Sequence, residues 1–409
     1  MKLTPLLTIV FCLSLSQCFA NSVYVANAGE DTVSVIDTDT NNVIATVTVG
    51  TEPGTVAITP DGSYAYVPSY FDNTISVINT ANNNVVNTIS SGLLSGPLGI
   101  AFTPNGNFAY VANNGSNTVA VIDTTTYTVT TTVTVGTWPV SIAVTPNGSY
   151  AYVTNNNTSF NSVSVINTAN NTVVGSISVG TSPFGITIIP DGSFAYVSNL
   201  SDATVSVIDT TTRTVLTTVS VGNNPRYLAA APTLHLVYVP NQEDNTVSVI
   251  DTDTNTVTDV ISVGNSPFSV VFTDDSSFAY VADSDDNSVE EIETATHTVV
   301  GETGVGNAPQ GMAITPTNLL PPTYLNGTQK KRQFLSQTEF YNTIQWGPSS
   351  SSGVVGYNIY KNNTKIASVS ASTLQYIQHN QQKNVLTVYS ITSFNSNGTE
   401  SPSISVSLQ

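Results

Sequence analysis

Side chains able to do chemistry are few in this chain of 409 residues. The three histidines, His235, His297 and His379, lie far apart, and both cysteines, Cys12 and Cys18, fall in the first twenty positions. No His-Glu-x-x-His, Gly-x-Ser-x-Gly, Walker or Gly-x-Gly-x-x-Gly pattern occurs, so no zinc, serine-nucleophile or phosphate-cradle chemistry is announced by a motif. Asp283, Asp285 and Asn287 alternate like the opening ligands of a calcium loop. Ser288 and Thr294, however, stand where such a loop needs its glycine and its closing glutamate, so a solvated acidic loop is expected, with no metal and no cofactor. Between residues 21 and 320 the basic side chains are Arg213 and Arg226 alone. Arg226 falls in a variable loop series, where it could bind an anionic group if the protein is an enzyme.

Composition limits the classes open to the chain. Charged residues are 9% and hydrophobic residues 40%, with a net charge of −18. That excludes a basic nucleic-acid binder and a charge-rich disordered polymer, and it leaves enough apolar surface for cores. Lys2, the apolar run Leu6 to Leu15 and Cys18-Phe19-Ala20 read as a secretory signal peptide cut after Ala20. Lipidation at Cys18 is the weaker alternative, because Gln17 is a poor residue before a lipidated cysteine. The mature protein would then lack cysteine, and with it disulfides and thiolate chemistry. No later apolar stretch is long enough for a membrane-spanning helix.

The elements that must position any site come from an internal repeat. Tyr24, Tyr66, Tyr110, Tyr152, Tyr196, Tyr238 and Tyr280 recur at spacings of 42 or 44 residues. About a dozen residues after each comes a Val-Ile-Asp-Thr-like step, such as Val35-Ile36-Asp37-Thr38, and most units end in Val-Gly followed by a proline, such as Gly136 and Pro139. Each unit reads as four short strands rich in Val, Ile, Thr and Tyr. In one unit these are roughly 140–145, 151–154, 162–166 and 172–179, with Pro146-Asn147-Gly148 as a hairpin turn. Units of about 40–45 residues with four strands predict propeller blades. The first unit lacks its innermost strand, and 311–315 supplies a strand with no unit behind it. The ring is therefore expected to close by joining its two ends. The predicted fold is all-β: a seven-bladed β-propeller of four-stranded blades over residues 21–320, then a small β-sandwich over 321–409.

Tyr24-Val25-Ala26-Asn27, Tyr152-Val153-Thr154-Asn155 and the Val-Ile-Asp-Thr and Thr-Pro-Asp-Gly repeats resemble the YVTN family of β-propeller repeats of archaeal surface-layer and exported bacterial proteins. The resemblance covers roughly 22–316 and implies a seven-bladed propeller outside the cytoplasm, usually without an assigned activity. After Pro321-Pro322 the period stops. Trp346-Gly347-Pro348, Tyr357-Asn358-Ile359-Tyr360, Tyr389-Ser390-Ile391-Thr392 and Asn397-Gly398 resemble a fibronectin type III module, although Thr387 stands where such modules often place a corner tyrosine. Charge divides between the parts: the mature propeller holds 25 acidic residues against two arginines, whereas the C-terminal module carries six basic residues against Glu339 and Glu400. Lys330-Lys331-Arg332 reads as a solvated loop, or as a patch for the acidic ring or an anionic envelope surface.

Comparing the units separates scaffold from candidate function. The Pro-Asp/Asn-Gly and Asp-Thr turns hardly change and answer to turn geometry; the other two loop sets vary and must emerge together on the opposite face of the disc. One set carries Glu52, Leu98, Trp138, Phe184, Arg226, Tyr227, Phe268 and Gln310. Of these, Trp138, Phe184, Arg226, Tyr227, Phe268 and Gln310 form the candidate binding surface, unless they merely pack blade on blade. The other set is acidic or amide-rich. The expectation is an exported, non-enzymatic interaction or adhesion scaffold that binds a protein or glycan of the cell envelope and no nucleic acid. One alternative is a lactonase-like hydrolase or lyase acting at the channel mouth, with Arg226 on an anionic group and an acidic loop residue as base. A purely structural envelope component is the other.

Overall fold

A computed structural model describes residues 21–157, 161–316, 322, 325–333, 338–349, 354–382, 385–394, 400–401 and 403–408. The leader-like residues 1–20, Pro321 and the Asn397-Gly398 step lie outside the described residues.

Seven four-stranded antiparallel sheets form from 22 to 314. Blades are numbered here by their tyrosines, from Tyr24 in blade 1 to Tyr280 in blade 7. Blade 4 shows the common plan, with strands Pro139–Val144, Tyr150–Asn155, Ser162–Asn167 and Thr172–Ser178 running from the channel outward. Its two middle strands are buried on both faces, which is why they read as near-continuous Ala, Tyr, Val and Ile. The outer strand is mostly exposed and is Thr- and Ser-rich. In all seven blades the chain entering the innermost strand meets the end of the second strand at a proline, where the missing N–H costs no ladder bond.

The ring closes as the sequence predicts. Strand Pro309–Ile314 joins Ser22–Asn27 antiparallel, with Val23 opposite Ile314 and Val25 opposite Met312. The Ser22 N–H donates to Thr315 Oγ1 at 2.8 Å. The two ends of the propeller segment thus share one sheet, and blade 1 has four strands like the others.

Adjacent blades are joined by the tyrosines that mark the repeat. Each is at most 2% exposed, and its ring fills the space between two sheets. The hydroxyl of Tyr110 reaches the third-to-fourth-strand turn of the next blade and donates to Asn171 Oδ1 at 2.7 Å; Tyr196 donates to Asn255 Oδ1 at 2.6 Å. Tyr24 does the same with Asn83. In blade 7 the hydroxyl donates instead to Glu291 Oε1 at 2.6 Å, and Glu291 accepts Asn41 Nδ2 of blade 1 at 2.6 Å. Burial raises the pKa of these phenols, so they remain neutral donors.

The C-terminal residues build a three-stranded and a four-stranded antiparallel sheet over a separate core of Ile344, Trp346, Tyr357, Ile359, Tyr389, Ile391 and Leu408. Trp346 meets Tyr357 edge-on at 5.7 Å. Strands Leu325–Gln333 and Gln375–Gln378 were not foreseen. Lys330, Lys331 and Arg332 therefore lie in a strand, exposed, rather than in a loop: Lys331 faces Phe340 and Arg332 faces Glu339 across the hairpin. The polar side chains hid a long hairpin whose order comes from pairing.

Removal of 310–316 takes the innermost strand from blade 1. It is expected to lower the melting temperature and open blade 1 to limited proteolysis, and unchanged melting and cleavage would disprove the closure. Tyr110→Phe removes one blade-to-blade hydrogen bond and is expected to cost about 1 kcal/mol in denaturant unfolding.

Candidate functional site

The two variable loop sets emerge on one face, and hydrogen bonds tie them together. The residue before the inner strand sits at positive φ, as at Glu52 (53°) and Trp138 (54°). Its N–H donates to a side-chain oxygen of the other set: Glu52 to Asp31 at 2.9 Å, Trp138 to Asn117 at 3.0 Å, Ser182 to Asn161 at 3.1 Å and Ser266 to Asn245 at 3.0 Å. A further acid caps the start of the loop, as when Asp72 accepts from the Thr51 N–H at 2.8 Å and Asp286 from the Asn265 N–H at 2.6 Å. Several acids expected to be free for binding are therefore spent on loop geometry.

Four of the six candidate residues converge in the channel mouth across blades 5, 6 and 7. Phe184 and Tyr227 lie 4.8 Å apart by ring centroids, Tyr227 and Phe268 5.7 Å, and Phe184 and Phe268 6.0 Å. The Arg226 guanidinium sits between two of these rings, 4.9 Å from Phe184 and 5.0 Å from Phe268. Its Nε donates to Gln242 Oε1 at 2.6 Å. Burial lowers the Arg226 pKa, while the charge of Glu243 works the other way.

Tyr227 explains why the cluster forms here. The second residue after the strand-opening proline is Thr55, Gly99, Ser141, Gly185, Ser269 or Gly311 in the other blades. The inner strands approach closely at that layer: a Cβ on Gly99 would come 2.3 Å from Val140 O, and one on Gly311 would come 2.4 Å from Thr55 Cα. At this layer the N–H reaches the next blade, from Gly311 to Gly54 O at 3.2 Å and from Tyr227 to Phe268 O of blade 7 at 3.0 Å. The regular inner strand shrinks to Ala229–Ala230 in blade 6 and equally to Ala57–Ile58 in blade 2, the two blades whose second strand carries a proline, Pro240 and Pro68, with no N–H to give. Tyr227 adds a large ring at a position that is small in the other blades, and that ring meets Phe184 and Phe268.

Beside the cluster, Gln242 also borders an open polar cleft of about 620 Å³, lined by Asn224, Glu243, Asn245, Asn265, Ser266, Asp285 and Asp286. Nothing in its loop sequence marks Gln242 as the residue that joins arginine to cleft. Trp138 is not part of the cluster; it stands 53% exposed on the loop leading into blade 4. Gln310, half-buried on the inner strand of blade 1, uses its backbone carbonyl to accept the Ser269 hydroxyl.

The calcium candidate is not assembled. Asp283 is buried without a hydrogen-bond partner, Asp285 accepts the Ser266 hydroxyl at 2.5 Å, and Asn287 Oδ1 accepts the Ala308 N–H at 2.8 Å, so the three side chains do not share one ligand position. Among the described residues no group of three His, Cys, Asp or Glu is placed to hold a metal. Each histidine pairs with a carboxylate: His235 with Asp253 at 2.8 Å, His297 with Asp259 at 2.8 Å and His379 with Glu339 at 2.7 Å. His235 lines a pocket on the opposite face of the disc with Asp191 and Asp253, and the Asp253 hydrogen bond raises its pKa. Asn199 opens an Asn-x-Ser glycosylation sequon with Ser201, yet it is fully buried with its amide on Thr204 and Ser206, so it cannot accept a glycan in the folded chain.

A family profile described as "Lactonase, 7-bladed beta-propeller" matches residues 19–174 and again 155–272. The chain belongs to this lactonase family. That membership overturns the expectation of a non-enzymatic protein, because the family is defined by an enzyme activity. The repeat hid this: seven similar blades dilute the few residues that differ, and those residues form no linear motif. No curated protein sequence matches this lactonase-family chain. Among solved structures, Kuenenia stuttgartiensis hydrazine synthase is 21% identical, with 71% of this chain and 99% of that one covered and a TM-score of 0.62. A functionally unknown protein from Desulfotomaculum acetoxidans DSM 771 is 21% identical, covering 73% and 99%, with a TM-score of 0.65. Dihydro-heme d1 dehydrogenase NirN is 16% identical, covering 71% and 74%, with a TM-score of 0.56. These likenesses show the propeller fold.

Gln242→Leu would leave Arg226 Nε without its acceptor. In this lactonase-family chain it is expected to destabilise the fold by about 1–2 kcal/mol in urea or guanidinium unfolding.

Proposed function

We propose that the protein hydrolyses a lactone at the channel mouth of the loop face, with Arg226 binding the ester carbonyl. One observation carries this reading. The guanidinium is half-buried between two aromatic rings, its Nε is on a neutral amide, and among the described residues no carboxylate lies within ion-pair distance of it. A buried cation without a counter-ion retains its field for an incoming oxygen, and that field strengthens as charge develops on the oxygen.

The reaction then follows from the neighbours. Phe184, Tyr227 and Phe268 hold the carbon skeleton of the ring. Glu243, whose charge reaches Arg226, takes a proton from a water molecule as that water attacks the carbonyl carbon. The carbonyl electrons move onto oxygen facing Arg226. When the carbonyl re-forms, the ring C–O bond breaks and the alkoxide takes the proton from Glu243, leaving a hydroxy acid.

Other readings belong to the same proposal. The leader-like residues 1–20 support export to the periplasm or cell surface, with the mature propeller over 21–320. The YVTN-like repeats support placement at the envelope. The core of Trp346, Tyr357 and Tyr389 supports a fibronectin type III-like spacer over 321–409. Trp138, exposed on the loop face, is the residue assigned to contact with a glycan or protein there.

Titration of the acid released from a panel of γ- and δ-lactones tests the activity. Arg226→Met is expected to lower kcat/KM by about 10²–10³-fold, as removal of an oxyanion donor does, while Trp138→Ala leaves it unchanged. Absence of hydrolysis above the uncatalysed rate across the panel overturns the proposal.

A further inference from the structure

The seven blades serve as internal controls, and one blade departs from them inside its own sheet. The second strand of five blades ends in asparagine: Asn27, Asn113, Asn155, Asn199 and Asn241, all fully buried. In four of these blades the Nδ2 group donates to two hydroxyls of the next strand. Asn27 reaches Thr32 at 3.0 Å and Ser34 at 2.9 Å; Asn241 reaches Thr246 at 3.0 Å and Ser248 at 2.9 Å; Asn155 and Asn199 repeat the pattern. The glycine that leads into the blade packs directly on this amide, as Gly222 does on Asn241. In blade 7 both ends of the bridge change: Asp283 replaces the asparagine and Glu290 replaces the second serine, with Ser288 as the first hydroxyl.

A carboxylate cannot do what the amide does, because it has no hydrogen to give. Asp283 is fully buried, and neither of its oxygens has a hydrogen-bond partner. The groups facing it from each packed element make matters worse. Glu290 comes from the third strand, Glu302 from the outer strand and Asp286 from the intervening turn. From the loop packed above it come Gly264 and Asn265, which carry no charge; the Gly264 N–H donates to Glu290 Oε2 at 3.2 Å. Glu291 faces the other side of the sheet, bonded to Tyr280 and Asn41. Two ionised carboxylates at the ends of a buried bridge repel, whereas one proton between them restores a donor and an acceptor.

We propose that Asp283 and Glu290 form a proton-held clasp, in which the acid form of Asp283 donates as the asparagine amides do and makes blade 7 a pH-sensitive segment of the ring. Burial first, then Glu290, Asp286 and Glu302, push the Asp283 carboxyl up to about 8. Burial raises Glu290 as well. An unfolded aspartate titrates near about 4. Between these values the folded chain holds a proton that the unfolded chain has released, so stability falls as pH rises from about 4 to about 8 and levels off above. The clasp sits one strand from the channel: Asp283 pairs with Pro267, the residue before Phe268, so its loosening begins at the wall of the Arg226 cluster. The inference does not depend on lactone hydrolysis.

Melting temperatures of the full-length protein from pH 4 to pH 9 test it. Asp283→Asn with Glu290→Ser writes the consensus bridge into blade 7. It is expected to raise the melting temperature by several degrees at pH 8, to change it little at pH 4, and so to flatten the profile. Asp39→Asn, which removes a surface charge from blade 1, is expected to leave the slope as in the wild type. Infrared spectra at pH 7 should show a protonated-carboxyl band that Asp283→Asn removes. The clasp is refuted if the variant and wild-type profiles run parallel, if that band is absent from the wild type, or if calcium restores the wild-type melting temperature at pH 9, which would give the site to a cation.

Discussion

Everything in the propeller depends on the antiparallel pairing of Pro309–Ile314 with Ser22–Asn27. A ring of sheets has no interior that survives a gap, because each inter-blade core is bounded by two sheets. The cluster around Tyr280, Val289 and Met312 draws on blade 7 and on both ends of the chain in blade 1. Loop-closure entropy is incurred once, over nearly 300 residues, and the strand bonds and the buried methionine, valines and isoleucine of that seam offset it.

Within the closed ring, stability and function use different layers. The outer and middle layers are nearly uniform: tyrosine hydroxyls cross to the next blade, and loop acids and amides accept from the loops that follow. At one position of the innermost layer the other six blades carry Gly, Ser or Thr, and the Tyr227 ring that stands there meets Phe184 and Phe268 beside Arg226. Local departure from the repeat therefore creates the site. Blade 7 departs from the repeat at Asp283 and Glu290, immediately beside it.

Much of this was legible in the residues. The spacing of the tyrosines predicted seven blades, the missing first strand predicted the closure, and the convergence of Phe184, Arg226, Tyr227 and Phe268 followed from strand alternation. The misses share a cause. Trp138 and Gln310 belong to the same loop series, yet the series runs around the full circumference, so membership does not bring residues together. Asp283, Asp285 and Asn287 look like one cluster along the chain, but a strand end, a turn and a positive-φ residue leave Asp283 buried without a partner and send the other two side chains to Ser266 and Ala308. Lys330 to Arg332 read as a loop because their strand partners, Glu339 to Tyr341, lie further along the chain in a pairing that composition does not reveal.

Sequence by itself determined the architecture, because a period of 42 or 44 residues with alternating Val, Ile, Thr and Tyr is compatible with stacked four-stranded sheets and little else. It also determined the face on which variation could matter. Tertiary structure alone decided which variable residues meet, that Arg226 has no carboxylate partner among the described residues while Gln242 holds it, and that Asp283 lies buried among three other acids. The physical reason is that these are properties of distance and desolvation between strands far apart in the chain, and they appear only once the ring is closed.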